Sequence, residues 1–249
     1  IKQIKEAGLI RSEVAMYLVM LTEFKDESIK ASTYIFREPL SLGDLASELV
    51  EGGQRSDLVR ITNIEGESAA QIAAKAAQIL PNFNEAEFLT LAKPYEGKLF
   101  PETYLVPSDF TATELFDLLR KTFDEKIAPE EEMILKHELT LDEIIILASI
   151  LEREANSLES KKMVSGILQK RLAISMPLQV DASLEYILNK PLKDLTAEDL
   201  DIDSPYNTYL NYGLPPTAIG NPGLDAIEAV LYPEESDYLF YITGDDGNF

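Results

Sequence analysis

The stretch that decides the fold is TLDEIIILASILERE, residues 140–154. Thr140 and Glu143 have the spacing of a capping box, in which each side chain accepts a hydrogen bond from the other residue's backbone N–H. The residues that follow are apolar on every side of a helix rather than along one stripe, which predicts a helix buried at the centre of a domain. This predicted helix runs directly into Glu152 and Glu154.

Glu152 is the first candidate for chemistry because a carboxylate at the end of a buried helix is costly unless it is used or paired. Burial favours the protonated form of a carboxyl group, which a general acid needs near neutral pH. Ala148 and Ala155 are small, so a ligand could reach this carboxyl group. Glu154 lies about 200° further around the helix, and we expect it to be ion-paired or to face solvent. The alternative is that Glu152 and Glu154 are ordinary glutamates at a helix end, without a catalytic role.

The N-terminal third carries one pattern twice: an extended run, a turn and a helix whose first residues resemble a capping box. The pattern predicts a small α/β region, preceded by one or two short helices in residues 1–25. The first copy covers residues 32–36, 39 and 41–44, and the second covers residues 59–64, 66 and 68–71.

The rest of the chain, from residue 93 onward, has the pattern of a mixed α+β domain. Its loops are rich in amide and aromatic side chains, which match sugar hydroxyl groups and stack on sugar rings. Ordinary turn-forming residues are the alternative explanation of these loops. Strands are predicted at residues 98–106 and 238–243, and helices at residues 111–123, 129–136, 160–173 and 225–231.

The composition argues against several classes of function. The formal net charge is −22, from 44 acidic and 22 basic side chains, so the surface repels nucleic acid and anionic lipid. The absence of cysteine excludes disulfides and a cysteine nucleophile, and the single histidine, His137, cannot form a His-rich metal site. We predict no metal, no cofactor and no nucleic-acid partner. The chain contains no run of about 18 apolar residues, so no membrane span is predicted.

Four motifs carry a resemblance to a known family. They are EGKLFPETY at residues 96–104, ASILERE at 148–154, LQKRL with MPLQVD in 168–181, and SPYNTY, GLPP and NPG in 204–223. In this order and spacing they resemble the YceG-like family of endolytic murein transglycosylases over most of the chain. Glu102, Gln169 and Val180 depart from the family pattern, which commonly has Asp, Asn and Thr there.

The resemblance implies the reaction and the residues that carry it. The family cleaves the MurNAc–GlcNAc β-1,4 bond of nascent peptidoglycan strands and leaves 1,6-anhydro-MurNAc ends, without a cofactor. Glu152 falls on the family's catalytic acid and is expected to be the single general acid/base. The positions carried over as lining the substrate site are Gln179, Asp181, Asn207, Tyr104, Glu102 and Tyr209.

The resemblance also implies an organisation and a location. We expect an α+β fold with a LysM-like region at residues 1–92 and a catalytic domain at residues 93–249. Peptidoglycan synthases (penicillin-binding proteins) are expected partners, in the bacterial cell envelope outside the cytoplasmic membrane. A single membrane helix is expected before Ile1, and a further segment after Phe249. A non-catalytic peptidoglycan-binding protein and an unrelated soluble hydrolase are the alternatives.

Overall fold

The protein is described by a computed structural model that covers residues 1–6, 8–25, 27–30, 34, 36, 40–52, 58–191 and 194–242. The chain divides into two compact units, Ile1–Leu58 and Val59–Phe249. The boundary expected between residues 92 and 93 therefore falls inside the second unit. The assignment of a LysM-like part and a catalytic part to its two sides stays a prediction.

Within its described residues, the first unit contains the helices α1 Lys2–Glu6, α2 Glu13–Glu23 and α3 Leu42–Glu51. The Ser41 hydroxyl accepts from the backbone N–H of Asp44 at 3.2 Å and so caps α3 as predicted. Gly52 ends this helix with a φ of 89°, a left-handed conformation that glycine adopts without strain. Of the extended run predicted at residues 32–36, only residues 34 and 36 lie within the described part, so the first copy of the repeat is not fully described.

The described part of the second unit is mainly helical, with one small sheet. β1 and β2 pair as a two-stranded sheet, which confirms the α+β class; the LysM-like character of the N-terminal region stays a prediction. Its elements are β1 Leu58–Thr62, α4 Ala69–Ile79, α5 Glu85–Ala92, β2 Thr103–Pro107, α6 Ala112–Ile127, α7 Glu131–Lys136, α8 Leu141–Glu154, α9 Leu158–Ala173, α10 Asp181–Leu188 and α11 Leu224–Leu231.

The helix α8 lies at the centre of this unit, as its sequence predicts. It packs against α9, α10 and α11, and residues on all of its sides are buried, including Ile144, Leu147, Ile150 and Leu151. Burial of each such side chain contributes roughly 1.5–3 kcal/mol. The predicted capping box is present, since the Thr140 N–H donates to the Glu143 carboxylate at 2.8 Å. The core thus holds the last turn of α8 in a defined position.

Two predicted strands differ from the structure, and one helix is additional to the predicted elements. β2 begins at Thr103 and not at residue 98, because the Leu99 N–H donates to the side chain of Asn221 instead of to a strand. The predicted strand at residues 238–243 was wrong for its described part, 238–242, where the Leu239 carbonyl accepts from the Arg171 side chain. The helix α10 was not predicted as a separate element.

Candidate active site

Glu152 lies in the last turn of α8, where α9 packs against it. Its Oε1 atom lies 2.6 Å from Nζ of Lys161, and the two side chains are only 8% and 9% exposed. An ion pair this far from water is screened much less than a surface pair. The pairing with Lys161 was not foreseen in the sequence.

The second oxygen of Glu152 is also held. Oε2 accepts from the backbone N–H of Gly223 at 3.0 Å, and Gly223 is the residue that immediately precedes α11. The N–H groups at a helix start have no partner within the helix and favour a negative charge. Glu152 is therefore fixed at both oxygens by donors from α9 and from the start of α11.

The loop 218–223 connects this carboxylate to the rest of the unit. The Ile219 N–H donates to the Ser149 hydroxyl of α8 at 3.0 Å. Asn221, which is 1% exposed, accepts from the Leu99 N–H at 2.8 Å and donates to the Glu67 carbonyl at 2.9 Å. Asn221 is one of the loop amides whose chemistry would suit a sugar, but the structure shows that it holds together the loop 218–223, the turn after β1 and the segment before β2.

Glu96 is a second buried carboxyl group, which was not predicted as a site residue although it belongs to one of the four motifs. It accepts from the Ala69 N–H at the start of α4 at 2.9 Å and from the Asn221 amide at 3.2 Å. Burial raises the pKa of Glu96 to about 7, more than these hydrogen bonds lower it. Its place at the start of the EGKLFPETY motif was the signal that could have identified it.

A cleft of about 760 Å³ opens beside the last turn of α8. Its volume is in the range of small-molecule sites, about 300–1,000 Å³. Arg153 and Ile219 line it, whereas Glu152 itself does not form its wall. The polar side chains around the cleft include Ser68, Gln71, Glu96, Glu185, Tyr186 and Lys190.

Glu154 has a different environment from Glu152, as its position on the helix requires. It is partly buried and accepts from the Tyr241 hydroxyl at 2.9 Å. Burial raises the pKa of Glu154, and the negative charges of Asp181 and Glu185 raise it further. The expectation of an ion pair or a solvent-facing side chain was wrong, because the Tyr241 hydroxyl and the Ala182 backbone N–H are the partners that the described residues supply.

Two of the carried-over site residues, Asp181 and Tyr209, lie near Glu154. The Tyr209 hydroxyl donates to Asp181 Oδ1 at 2.5 Å, and burial together with Asp181 and Glu154 raises the pKa of Tyr209. Asn207 is fully buried, and its amide donates to the carbonyls of Leu200 and Ile202. Asn207 thus shapes the loop that carries Tyr209.

The other carried-over residues lie elsewhere. Gln179 is exposed, with a left-handed φ of 51°. The buried Tyr104 hydroxyl donates to the Phe100 carbonyl at 2.7 Å, and burial raises the pKa of Tyr104 to about 12. Glu102 pairs with Lys126 of α6 at 3.3 Å. The contacts of these described side chains do not include Glu152, and their substrate-lining role stays a prediction.

The groups that surround Glu152 can transfer a proton and stabilise charge.

Within the described ranges, no three or more His, Asp or Glu side chains are grouped in a way that could hold a metal ion. None of the helices in that same part of the chain is long and apolar enough to cross a membrane.

Comparison with known proteins gives consistent similarities. A model of the YceG-like family matches residues 1–249. An endolytic murein transglycosylase of Streptococcus pneumoniae serotype 2 (strain D39 / NCTC 7466) is 29% identical over 281 residues, covering 96% of this chain and 51% of the relative. This chain thus spans about half the length of that relative.

Two further proteins extend the similarity to another organism and to a solved structure. An endolytic murein transglycosylase of Bacillus subtilis (strain 168) is 28% identical over 274 residues, covering 98% of this chain and 75% of the relative. A crystal structure of a YceG-like protein from Listeria monocytogenes superposes with a TM-score of 0.70 at 27% identity, covering 98% of this chain and 89% of that one.

Proposed function

The chain belongs to the YceG-like family, and on that premise we propose that it is an endolytic lytic transglycosylase of peptidoglycan. The observation that carries the proposal is Glu152, a buried carboxyl group held by Lys161 and Gly223 at the end of the central helix. The relatives named endolytic murein transglycosylase support the choice of reaction. The bond cleaved is the β-1,4 bond between N-acetylmuramic acid and N-acetylglucosamine.

The proposed reaction uses Glu152 twice. In its protonated form, Glu152 donates to the glycosidic oxygen, and positive charge develops at the anomeric carbon. The resulting carboxylate then accepts the proton of the muramyl 6-hydroxyl, which attacks the anomeric carbon and closes the 1,6-anhydro ring. Hydrolysis by glycosidases needs two carboxyl groups and a water. Here the nucleophile belongs to the substrate, so its orientation supplies much of the rate.

The partners of Glu152 suit the first of these steps. When Glu152 gives up its proton it becomes a carboxylate, and the Lys161 ammonium and the Gly223 N–H are already in place to stabilise it. Donors that are fixed before the reaction need no reorganisation during it, which is the main source of electrostatic catalysis.

The cleft beside α8 supports the assignment of a sugar substrate. Tyr186 lines it, and the Tyr186 ring centre lies 5.4 Å from that of Tyr206. Aromatic faces stack on the apolar faces of sugar rings. We place one part of the glycan strand in this cleft and the bond to be cleaved outside it, at Glu152, and keep Gln179, Asp181 and Tyr209 as positions that contact the strand further along.

The role of Asn207 rests on its hydrogen bonds within the loop, and the remaining assignments rest on the family alone. Asn207 supports the loop of the site from within, and Glu102 and Tyr104 line the far part of the groove. The protein works in the cell envelope outside the cytoplasmic membrane, anchored by an N-terminal helix, beside peptidoglycan synthases that make the strands it cuts. A LysM-like region at residues 1–92 assists the catalytic domain at 93–249.

The test is digestion of purified peptidoglycan, followed by mass spectrometry, with the protein, with Glu152→Gln and with Glu138→Gln. Glu138 is an exposed residue before the other end of α8, so it controls for the loss of one charge. Anhydromuramyl ends from the protein and from Glu138→Gln, and none from Glu152→Gln, are expected. Reducing ends would contradict the intramolecular mechanism, and binding without any product would favour the non-catalytic peptidoglycan-binding alternative.

A further inference from the structure

Glu65 lies in the turn between β1 and α4, and its side chain is exposed. The backbone of this turn is fixed, because the Gly66 N–H donates to the Asn221 carbonyl at 2.8 Å and the Asn221 N–H donates to the Glu67 carbonyl at 2.9 Å. The Glu67 carboxylate accepts from the Ile64 N–H at 2.9 Å and pairs with Lys75 at 2.6 Å. The Glu65 carboxylate, in contrast, has no hydrogen bond or ion pair with any other described residue.

Glu65 and Glu152 approach the same glycine. A Cβ atom placed on Gly223 would lie 2.8 Å from Cγ and 3.6 Å from Oε1 of Glu65, and 3.5 Å from Oε2 of Glu152. The two carboxyl oxygens are therefore no more than roughly 7 Å apart, a spacing at which paired carboxyl groups of glycoside-cleaving enzymes act on one sugar. The missing side chain of Gly223 leaves room between them.

A second glycine brings the turn itself close to the catalytic helix. A Cβ atom placed on Gly66 would lie 3.6 Å from Cγ of Glu152. The turn after β1 thus packs directly on the Glu152 side chain, and Glu65 extends from it toward solvent. A substrate that reaches Glu152 from this side meets Glu65.

The two carboxyl groups differ in how their charge is compensated. Glu152 is bonded to the Lys161 ammonium and to the Gly223 N–H, and neighbouring Arg153 is paired with Glu185 at 2.6 Å. Glu65 has no cationic partner among the described residues. An ionised carboxylate without a cationic partner attracts positive charge that develops nearby, and the attraction strengthens when a bound substrate displaces water.

We propose that Glu65 is a second functional carboxylate of this site, which stabilises the positive charge at the anomeric carbon while Glu152 transfers the proton. This inference rests on the proposed transglycosylase function. Glu65 stays ionised and forms no covalent bond. The proton that Glu152 gives to the glycosidic oxygen is replaced by the proton of the 6-hydroxyl, so the cycle closes without Glu65 gaining or losing one.

This role changes how the site is built along the chain. Glu65 belongs to the region that the sequence analysis assigned as LysM-like, and Glu152 to the region assigned as catalytic. Both lie in the unit Val59–Phe249, so the turn after β1 supplies part of the reaction site itself.

The test is the Glu65→Gln variant, assayed on uncrosslinked glycan strands with anhydromuramyl ends measured by mass spectrometry. We expect kcat to fall at least about tenfold, as for other groups that stabilise charge in a transition state, and KM to change less than about threefold. The melting temperature should stay the same, because this side chain has no partner within the described structure.

Two further variants separate charge from position. Glu65→Asp keeps the negative charge and should retain more activity than Glu65→Gln. Glu138→Gln removes the same charge from an exposed residue that precedes the opposite end of α8 from Glu152, and it should leave kcat unchanged.

Each contrary result has a distinct meaning. If Glu65→Gln keeps the kcat of the unmodified protein while Glu152→Gln is inactive, the role of Glu65 is wrong and the proposed function stands. If only KM rises, Glu65 binds substrate and the stabilising role is overturned. If the unmodified protein itself forms no anhydromuramyl ends, the proposed function fails, and the role of Glu65 fails with it.

Discussion

Lys161 is the residue that most directly compensates the charge of Glu152. Its side chain is 9% exposed and its Nζ atom lies 2.6 Å from the carboxylate. Removal of one member of a buried ion pair is more damaging than replacement of both, because it leaves the other charge without a partner.

The first prediction concerns Lys161→Met. The free energy of unfolding should fall by about 3 kcal/mol, the usual cost of breaking a buried pair, and kcat should fall with it because the carboxylate is no longer stabilised. Urea denaturation and the anhydro-product assay measure the two effects. Lys161→Arg, which keeps the charge, should retain most of the free energy of unfolding and most of kcat. Equal kcat for Lys161→Met and the unmodified protein would show that Lys161 has no part in the reaction.

The second prediction concerns the pH dependence that Glu96 causes. Since burial raises its pKa from 4.5 to about 7, the folded state binds this proton more tightly than the unfolded chain does. The stability that the folded state gains by binding this proton on Glu96 is therefore fully present below about pH 4.5, and it is lost as the pH rises through about 7.

The Glu96→Gln variant, which cannot ionise, removes this dependence. Between pH 5 and 7.5 the unmodified protein should lose about 2 kcal/mol of stability relative to this variant. Urea denaturation at both pH values measures the difference. A difference between the two proteins that does not change with pH would contradict the raised pKa.

At the scale of elements, the loop 218–223 is the connection on which the site depends. It bonds to Ser149 of α8, to Glu152 through Gly223, and to the turn after β1 through Asn221. Its close approach to that turn requires glycine, because a Cβ atom on Gly220 would lie 2.3 Å from the Gly66 carbonyl oxygen.

The third prediction therefore concerns Gly220→Ala. The added methyl group meets backbone rather than a flexible side chain, so the turn carrying Glu65 must move away from Glu152. We expect the free energy of unfolding to fall by about 2 kcal/mol. We also expect kcat to fall, measured at a temperature where the variant is still folded. Gly43→Ala in α3 is the control, since its Cβ atom would meet nothing closer than 3.7 Å. Full activity of Gly220→Ala would show that the contact between loop and turn is dispensable.

At the scale of the whole molecule, the described contacts of Glu152 all lie within Val59–Phe249. The second unit includes β1 and α4, which a boundary at residue 92 would separate from the catalytic part. The sheet that β1 forms with β2 would lose a strand at such a boundary.

The fourth prediction compares two fragments. Residues 58–249 should fold and form anhydromuramyl ends, whereas residues 93–249 should form none, because they lack β1, α4 and the turn that carries Glu65 and Gly66. Circular dichroism reports folding, and mass spectrometry reports product. Activity of the shorter fragment would restore the boundary at residue 92.

Patterns in the sequence were enough to predict the local structure and the buried central helix α8. The caps of α4, α6 and α8 and the burial of α8 follow from residues at most a few positions apart, so they can be read directly from periodicity and capping patterns. The four motifs determined the family, and through it the candidate Glu152.

Only the tertiary structure decided what surrounds that residue. The partners of Glu152 come from α9, from the start of α11 and from the turn after β1, and Gly223 is 71 positions away along the chain. Asn207 and Asn221 have the side chains of sugar-binding residues, yet their buried amides hold loops together. Such contacts depend on how the chain packs, because an amide bonds equally well to a sugar or to a backbone carbonyl, and sequence spacing does not distinguish between them.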